Sequence, residues 1–418
     1  MIVSIVLVLL TLLGAPLFAV IAAGAIAGFA AADISLTAIP IEIFGIAETP
    51  VLLAIPLFTF AGYVLAESQA PSRLVRLTTA LVGWVPGGVA IVSIAACAVF
   101  TAFTGGSGVT IIALGAALYP ALTQAGYDKR FSLGLITSAG CLGLLFAPSL
   151  PLILYGVITE TSIDDMFVAG ILPGTVMMAS LAVYCLWVNR HIRMPLSQFS
   201  WRKVGAAVRE SWLDIPLPLL VLGGIYGGVF AVSEAAAVTA VYVILTEVVI
   251  RRDIALTRLP QIMRQSMVLV GAILLILGVS LASTNVMIDA EIPEKLVSIV
   301  NSMVGGPVSF LVLLFFFLLV LGAILDIFSA LVLVVPLMVP VAARYHIDPV
   351  HMGILFIANM ELGYLAPPMG RNLVVSSYRF DEPILRVYSA TFPFVLVLLA
   401  TVLVITFFPV LSIWLVGR

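Results

Sequence analysis

Residues 120–148 read PALTQAGYDKRFSLGLITSAGCLGLLFAP, and residues 340–368 read PVAARYHIDPVHMGILFIANMELGYLAPP. The two stretches align without a gap at an offset of 220 positions, which places Pro120 on Pro340 and Asp128 on Asp348. Leu135, Leu142, Gly143, Leu145 and Pro148 likewise fall on Leu355, Leu362, Gly363, Leu365 and Pro368. A leucine-rich chain produces some such matches by chance, but an Asp, a Gly and two Pro in register are harder to obtain that way. Each copy is an apolar, helix-like run that ends in a Gly and Pro break. Interrupted apolar segments at corresponding places in two halves point to the binding site of a secondary transporter.

Composition sets the solvent. Hydrophobic residues make up 62% of the 418, charged residues 10%, and mean hydropathy is +1.24. A soluble domain is about half apolar and a quarter charged, so this chain belongs in a lipid bilayer. A spanning helix takes about 20 apolar residues, which leaves room for on the order of a dozen spans. A net charge of −2 says nothing of nucleic acid, and no basic stripe is present, so no nucleic-acid partner is expected. Cys97, Cys141 and Cys185 lie in apolar runs at spacings that suit neither disulfides nor a metal centre. His191, His346 and His351 are too scattered for a zinc or redox site. The first apolar run starts at Ile2 without a basic leader and continues to about Ala32, so a retained first span is expected.

Apolar runs follow at about 50–67, 87–104, 109–125, 131–147, 149–159, 168–189, 214–231, 235–250, 266–288, 308–325, 329–343, 352–366 and 388–415. The tracts 87–125 and 308–343 each break in the middle, at FTGGSG (103–108) and GAILDIFS (322–329). Two short helices turning back at a polar tip make a re-entrant hairpin, which survives at membrane depth where protein or a cavity satisfies its backbone. Basic clusters at Arg73 and Arg76, Lys129 and Arg130, Arg190 to Arg209 and Arg251 to Arg264 alternate with acidic ones at Asp33 to Glu48, Glu160 to Asp165 and Asp289 to Glu294. The basic group is expected in the cytoplasm. Lys129 and Arg130 follow Asp128, whereas Pro349 and Val350 follow Asp348; opposite sidedness of equivalent loops predicts an inverted repeat, with Arg344 weighing against it. The polar stretch 190–214, carrying Trp201 and Trp212, reads either as an amphipathic surface helix or as a linker.

Across these motifs the chain resembles the large membrane subunit (DctM-like) of tripartite ATP-independent periplasmic (TRAP) transporters. The carrying residues include LLAIPLFTFAG (52–62), WVPGG (84–88), FTGGSGVTIIALG (103–115), GYDKRFSLGLITSAGCLGLLFAPSLPLILYG (126–156) and FVAGILPG (167–174). GGVFAVSEAAAVTAVY (227–242), ILDIFSALVLVVPLMVP (324–340), NMELGYLAPPMG (359–370) and SSYRF (376–380) follow in the same order. The resemblance implies an all-α polytopic protein of the bacterial inner membrane, an inverted-repeat elevator with two re-entrant hairpins and broken helices. It implies sodium as the coupling ion, no organic cofactor, a small organic-anion substrate with C4-dicarboxylates leading, and two partners: a small membrane subunit and a periplasmic substrate-binding protein. The expected division is scaffold at 1–86, a transport half with the first hairpin at 87–189, surface linker and scaffold at 190–307, the second transport half at 308–386 and a C-terminal scaffold span at 387–418. Two departures stand out. The family commonly has Thr where this chain has Ala366, which removes a side-chain oxygen. It usually has an apolar residue where this chain has Arg371, which bears on substrate choice.

Sodium is a hard cation, and transporters supply its oxygens from unwound carbonyls and helix C-termini, while helix N-termini suit anionic groups. Gly frees the backbone and Pro removes an amide. With the family and the repeat in view, a first sodium site is expected at Gly106, Ser107, Gly143, Phe146 and Pro148, and a second at Asp326, Ser329, Gly363, Ala366 and Pro368. The alternative is that Gly and Pro only kink spanning helices. Ser107, Ser149, Arg371 and Asn372 are the expected substrate contacts, since Arg offers a planar fork of donors to a carboxylate. The competing role for Arg371 is an ion pair with Glu361 or Asp326. Glu234 is expected to brace the scaffold through a hydrogen bond. Thr104 and Ser283 either line the path or bond their own backbone. A membrane-embedded enzyme would need a reactive cluster that the spans lack, and no G-x-x-x-x-G-K-[ST] phosphate loop marks ATP-driven transport. The remaining alternative is a stand-alone divalent-anion/sodium symporter of related fold.

Overall fold

A computed structural model describes residues 6, 7, 9–11, 13–31, 35–85, 87–190 and 200–417. The helices run α1 Leu17–Ala31, α2 Ala38–Ala47, α3 Ala54–Glu67, α4 Ala70–Val82, α5 Gly88–Thr104, α6 Ser107–Gln124 and α7 Lys129–Ala139. Next come α8 Leu150–Thr159, α9 Ile163–Asn189, α10 Trp201–Glu210, α11 Pro216–Tyr226, α12 Val232–Val243, α13 Leu259–Asp289 and α14 Ile292–Met303. The second half closes with α15 Pro307–Ile324, α16 Ile327–Arg344, α17 Pro349–Gly363, α18 Arg371–Phe380, α19 Ile384–Phe407 and α20 Val410–Ile413. Nine helical segments among the described residues are long and apolar enough to cross a membrane. The protein is therefore all-helical and polytopic.

The 220-position repeat persists as architecture. Shifted by that offset, α6 coincides with α16 at both ends, and α5 with α15 to within one residue. The shared Asp explains itself locally. Asp128 caps α7 by accepting from Arg130 and Phe131 N–H, and Asp348 caps α17 by accepting from Val350 and His351 N–H. Each of these helices then breaks, over 140–149 and 364–370, before α8 and α18 resume. Both breaks contain a cis X–Pro bond, Ala147–Pro148 and Pro367–Pro368.

The halves interlock reciprocally. The hairpin arm α6 packs on α18, and its equivalent α16 packs on α8; α7 packs on α19, and its equivalent α17 on α9. Reciprocal contact of equivalent elements is the signature of a local two-fold axis.

Several features come from the tertiary packing. The arms of the first hairpin pack along each other, whereas those of the second diverge beyond the tip because α15 leans onto α17. The segment 387–418 packs extensively against α7, α9 and α17. Phe394 meets Phe131 at 5.5 Å and Tyr184 at 5.1 Å, and Arg130 donates to the Ser389 carbonyl at 2.8 Å. Helices α4 and α14 were hidden by their charges. In the 190–214 stretch, 191–199 lie outside the described residues; beyond them α10 is amphipathic, burying Val204 and Ala207 while Trp201 is exposed.

Arg73 is likewise no solvated loop charge. It is 3% exposed and holds Asp214 at 2.7 Å, Glu247 at 2.7 Å and Asp253. Helix α12 widens into a π-turn at Ile244–Ile250, and this turn carries Glu247 into the cluster. Glu234 does brace its own helix, accepting from Ala231 N–H at 2.9 Å.

Candidate ion and substrate site

The first hairpin turns at Gly105, whose φ of 64° lies in the left-handed region and whose missing Cβ leaves room for the Leu150 side chain. Gly106 is extended, and α6 restarts at Ser107. The Ser107 hydroxyl donates to Asn372 Oδ1 at 2.6 Å in a fully buried setting. Two residues expected to share a substrate, 265 positions apart, therefore touch. The Asn372 amide nitrogen and the Ser149 hydroxyl are also buried, and neither finds a partner among the described residues. A buried polar group without a protein partner calls for a water, an ion or another polar group.

Behind this tip lies a hydroxyl cluster of which sequence reasoning noted only Thr104. Thr101 Oγ1 donates to the Gly140 carbonyl at 2.8 Å and meets Thr110 Oγ1 at 2.7 Å, with Thr104 Oγ1 3.3 Å from Thr110. The signal was available: Thr101 and Thr104 share a helical face, and Thr110 stands one turn past Gly106. Their counterparts at 321, 324 and 330 are Leu, Ile and Ala, so the second half has no such cluster.

At the first break, Gly143 lies against α5. A Cβ there would sit 2.2 Å from the Ala98 carbonyl oxygen. The Gly143 carbonyl accepts from Phe146 N–H, and the Phe146 carbonyl accepts from Ser149 N–H. Each keeps a second lone pair. The Phe146 ring turns away toward Gly174, which leaves only its carbonyl for an ion. Pro148 is buried beside it.

The second break repeats the close approach and changes the chemistry. Gly363 faces Gly322, with a built Cβ 2.5 Å from the Gly322 Cα. The Tyr364 hydroxyl accepts from Ile327 N–H at 2.6 Å, which ties the second tip to the second break. Asp326 caps α16 through Phe328 and Ser329 N–H, and its other oxygen accepts from Ser329 Oγ at 2.5 Å. Asp326 and Ser329 are thus brought together, each already engaged by the other. Ala366 offers only a carbonyl, which accepts from Gly370 N–H, and the Pro368 carbonyl accepts from the Tyr388 hydroxyl at 2.8 Å.

Arg371 opens α18 and is exposed, as are Pro367, Pro368 and Met369, whereas the first break is largely buried. Arg371 stands beside Tyr364 and within electrostatic reach of Tyr63 on α3. No ion pair among the described residues joins it to Glu361 or Asp326, so the guanidinium is not spent on either acid. No cluster of three or more His, Cys, Asp or Glu suits a transition metal among the described residues.

Residues 2–411 match the family described as tripartite ATP-independent periplasmic transporter, DctM component. The chain is 32% identical over 379 residues to a C4-dicarboxylate TRAP transporter large permease protein of Pseudomonas aeruginosa, covering 90% of this chain and 89% of that one. It is 30% identical over 414 residues to an ectoine/5-hydroxyectoine TRAP transporter large permease protein of Ruegeria pomeroyi, covering 98% and 96%. It is 29% identical over 369 residues to a 2,3-diketo-L-gulonate TRAP transporter large permease protein of Escherichia coli, covering 86% and 84%. Among solved structures, the Alcanivorax borkumensis YdaH transporter shares the fold at a TM-score of 0.60 and 13% identity, covering 88% of this chain and 86% of that one.

Proposed function

This chain belongs to the DctM family of TRAP transporter large permease components, multi-pass proteins of the bacterial inner membrane and not enzymes, and we propose that it carries a small organic anion inward in company with sodium. The observation that carries this reading is the meeting of the first hairpin tip with the opposite half's broken helix, Ser107 on Asn372, beside the unpartnered Asn372 amide and Ser149 hydroxyl. Sodium binds the remaining lone pairs of the carbonyls at Gly106, Gly143, Phe146 and Pro148 with Ser107, and of those at Gly363, Ala366 and Pro368 with Asp326 and Ser329. The ordered tips then take the anion, whose carboxylate meets Asn372, Ser107, Ser149 and the exposed Arg371 fork.

Residues 87–189 and 308–386 form the moving unit, and the packing of α19 on α7 and α9 carries that helix with it. The repeat is inverted across the membrane, so one unit presents the same site to either side. The remaining spans stand still against the small membrane subunit, and a periplasmic binding protein delivers substrate. C4-dicarboxylates lead as substrates, because an Arg fork at the second break suits an anion. The relatives' named substrates include ectoine and diketogulonate, so related carboxylic acids follow.

The test is reconstitution of this chain with its small subunit and binding protein in liposomes, with radiolabelled succinate uptake measured under an inward sodium gradient. Uptake needing all three proteins and sodium supports the proposal. Uptake by this chain alone establishes a self-sufficient symporter instead, and uptake unchanged when choline replaces sodium overturns the coupling.

A further inference from the structure

Helix α13 belongs to the part proposed to stand still, and α16 to the part proposed to move. The two pack together, and a buried hydrogen bond joins them: the Ser280 hydroxyl of α13 donates to the Val332 carbonyl of α16 at 2.8 Å. Both residues are 2% exposed. Val332 stands six residues past Asp326, so the bond lies close behind the second hairpin tip.

The acceptor is open for a reason written in the sequence. Inside an α-helix a carbonyl accepts from the amide four residues on. Four residues on from Val332 stands Pro336, which has no amide to give. The carbonyl that its own helix leaves unfilled is taken by a serine of another helix. Other helical hydroxyls behave differently: Ser93, Thr137, Thr239 and Thr391 each bond the carbonyl four residues back in their own helix. The first half repeats neither part of the arrangement. At the offset of 220, Ser280 falls on Phe60 and Pro336 on Ala116. There α3 presents Gly62, whose missing Cβ lets it lie against the Phe103 and Thr104 backbone. A further bond across the same division, from the Tyr226 hydroxyl to the Phe167 carbonyl at 3.3 Å, is longer and only part-buried.

We propose that the Ser280–Val332 bond is a catch between the fixed and the moving part, made in this state and opened when the second hairpin travels. This inference rests on the division into fixed and moving parts proposed above. One neutral hydrogen bond is weak enough to be released in every cycle and strong enough to bias the resting state. Ser280 is thus a positioning residue that acts through the hairpin.

The test uses the full chain, wild type beside Ser280→Ala, Pro336→Ala and the double variant. Thermal melting reads the bond. Pro336→Ala returns an amide to the Val332 carbonyl, so Ser280→Ala is expected to lower the melting temperature in the wild-type background and to change it little in the Pro336→Ala background. Equal shifts in the two backgrounds overturn the assignment. Sodium-driven uptake of radiolabelled succinate, measured with the small subunit and binding protein in proteoliposomes and normalised to inserted protein, reads the catch. Ser280→Ala is expected to raise the maximal rate by roughly two- to tenfold, the worth of one such bond, and to leave the half-saturating concentration within about twofold of wild type. Pro336→Ala, which fills the carbonyl from within its own helix, is expected to move the rate in the same direction. Thr284→Val removes a buried hydroxyl without a partner, one turn on from Ser280, and is the control expected to match wild type. Rates at or below wild type in both Ser280→Ala and Pro336→Ala overturn the catch, because a bond kept through the cycle only braces the fold. A wild type without sodium-driven uptake overturns the transport reading on which the catch rests, and leaves the melting comparison of the bond standing by itself.

Discussion

The Ser107 hydroxyl lies 2.6 Å from Asn372 Oδ1, a buried bond that joins the tip of the first hairpin to the first turn of α18. Ser107 belongs to one copy of the repeat and Asn372 to the other, so the bond closes the protein across its own internal symmetry. It also orients the Asn372 side chain: with Oδ1 accepting from serine, the amide nitrogen is the free donor, available to an acidic guest.

Removing either partner leaves the other buried and unsatisfied, which costs about 1–3 kcal/mol. Ser107→Ala and Asn372→Ala are each expected to lower uptake by roughly tenfold or more. Asn372→Asp places a carboxylate where a substrate carboxylate is proposed to bind, and is expected to abolish uptake. Initial rates in proteoliposomes, normalised to inserted protein, check all three.

Arg371 is exposed and paired with no acid among the described residues. Arg371→Leu is expected to raise the half-saturating substrate concentration by roughly tenfold to a hundredfold with a small change in melting, because a charge-assisted bond to substrate is lost and, within the fold, the side-chain contact with Tyr364. Arg371→Lys restores the charge and not the fork, and is expected to fall between. An unchanged half-saturation in Arg371→Leu removes Arg371 from the substrate site.

The glycines at 363 and 322 are in backbone contact. A Cβ at Gly363 would sit 2.5 Å from the Gly322 Cα, and no flexible side chain is there to yield. Gly363→Ala is expected to destabilise the protein by about 1–3 kcal/mol through overpacking and to depress uptake. Gly205→Ala, where no atom lies within 4 Å of a built Cβ, is the matched control and is expected to melt like wild type.

Arg73 holds three carboxylates at once. Arg73→Ala leaves Glu247, which is 1% exposed, without its counter-charge, and is expected to cost about 3–5 kcal/mol and to show as a lower melting temperature or poor insertion. Arg73→Lys is expected to recover only part of the loss, since a single ammonium cannot fork among three acids.

The same cluster dictates a response to acid. Burial pushes the Asp253 carboxyl up, but hydrogen bonds from Arg73 and from Gln69 N–H outweigh it and leave it below its ordinary value of 3.8. A carboxyl lowered on folding stabilises fully above its unfolded value and loses that contribution as pH falls through the folded one. The melting-temperature gap between wild type and Asp253→Asn is therefore expected to be constant near neutrality and to narrow below about pH 4. A gap that widens in acid contradicts the assignment.

Much of this arrangement was legible in order along the chain. The offset of 220 positions, the shared Asp at 128 and 348 and the paired Gly and Pro breaks are local chemistry, and each survives as a cap or an interruption at the place expected. Apolar runs in a bilayer leave few choices, because every backbone group must be satisfied within its own helix. Charged segments misled for the same reason. Helix α4 carries Arg73 and Arg76 and reads as a loop until Asp214, Glu247 and Asp253 arrive from later in the chain to neutralise Arg73.

The sequence by itself determined that this is a polytopic membrane protein built from two copies of a hairpin and a broken helix, because periodicity, capping and helix breaking are properties of neighbours. Only the tertiary structure decided which copy each broken helix answers to. It set Ser107 against Asn372, gathered Thr101, Thr104 and Thr110 behind the first tip, and tied the Tyr364 hydroxyl to Ile327 N–H at the second. These contacts span up to 265 positions, and they exist because the two halves pack reciprocally, a relation that no window along the chain contains.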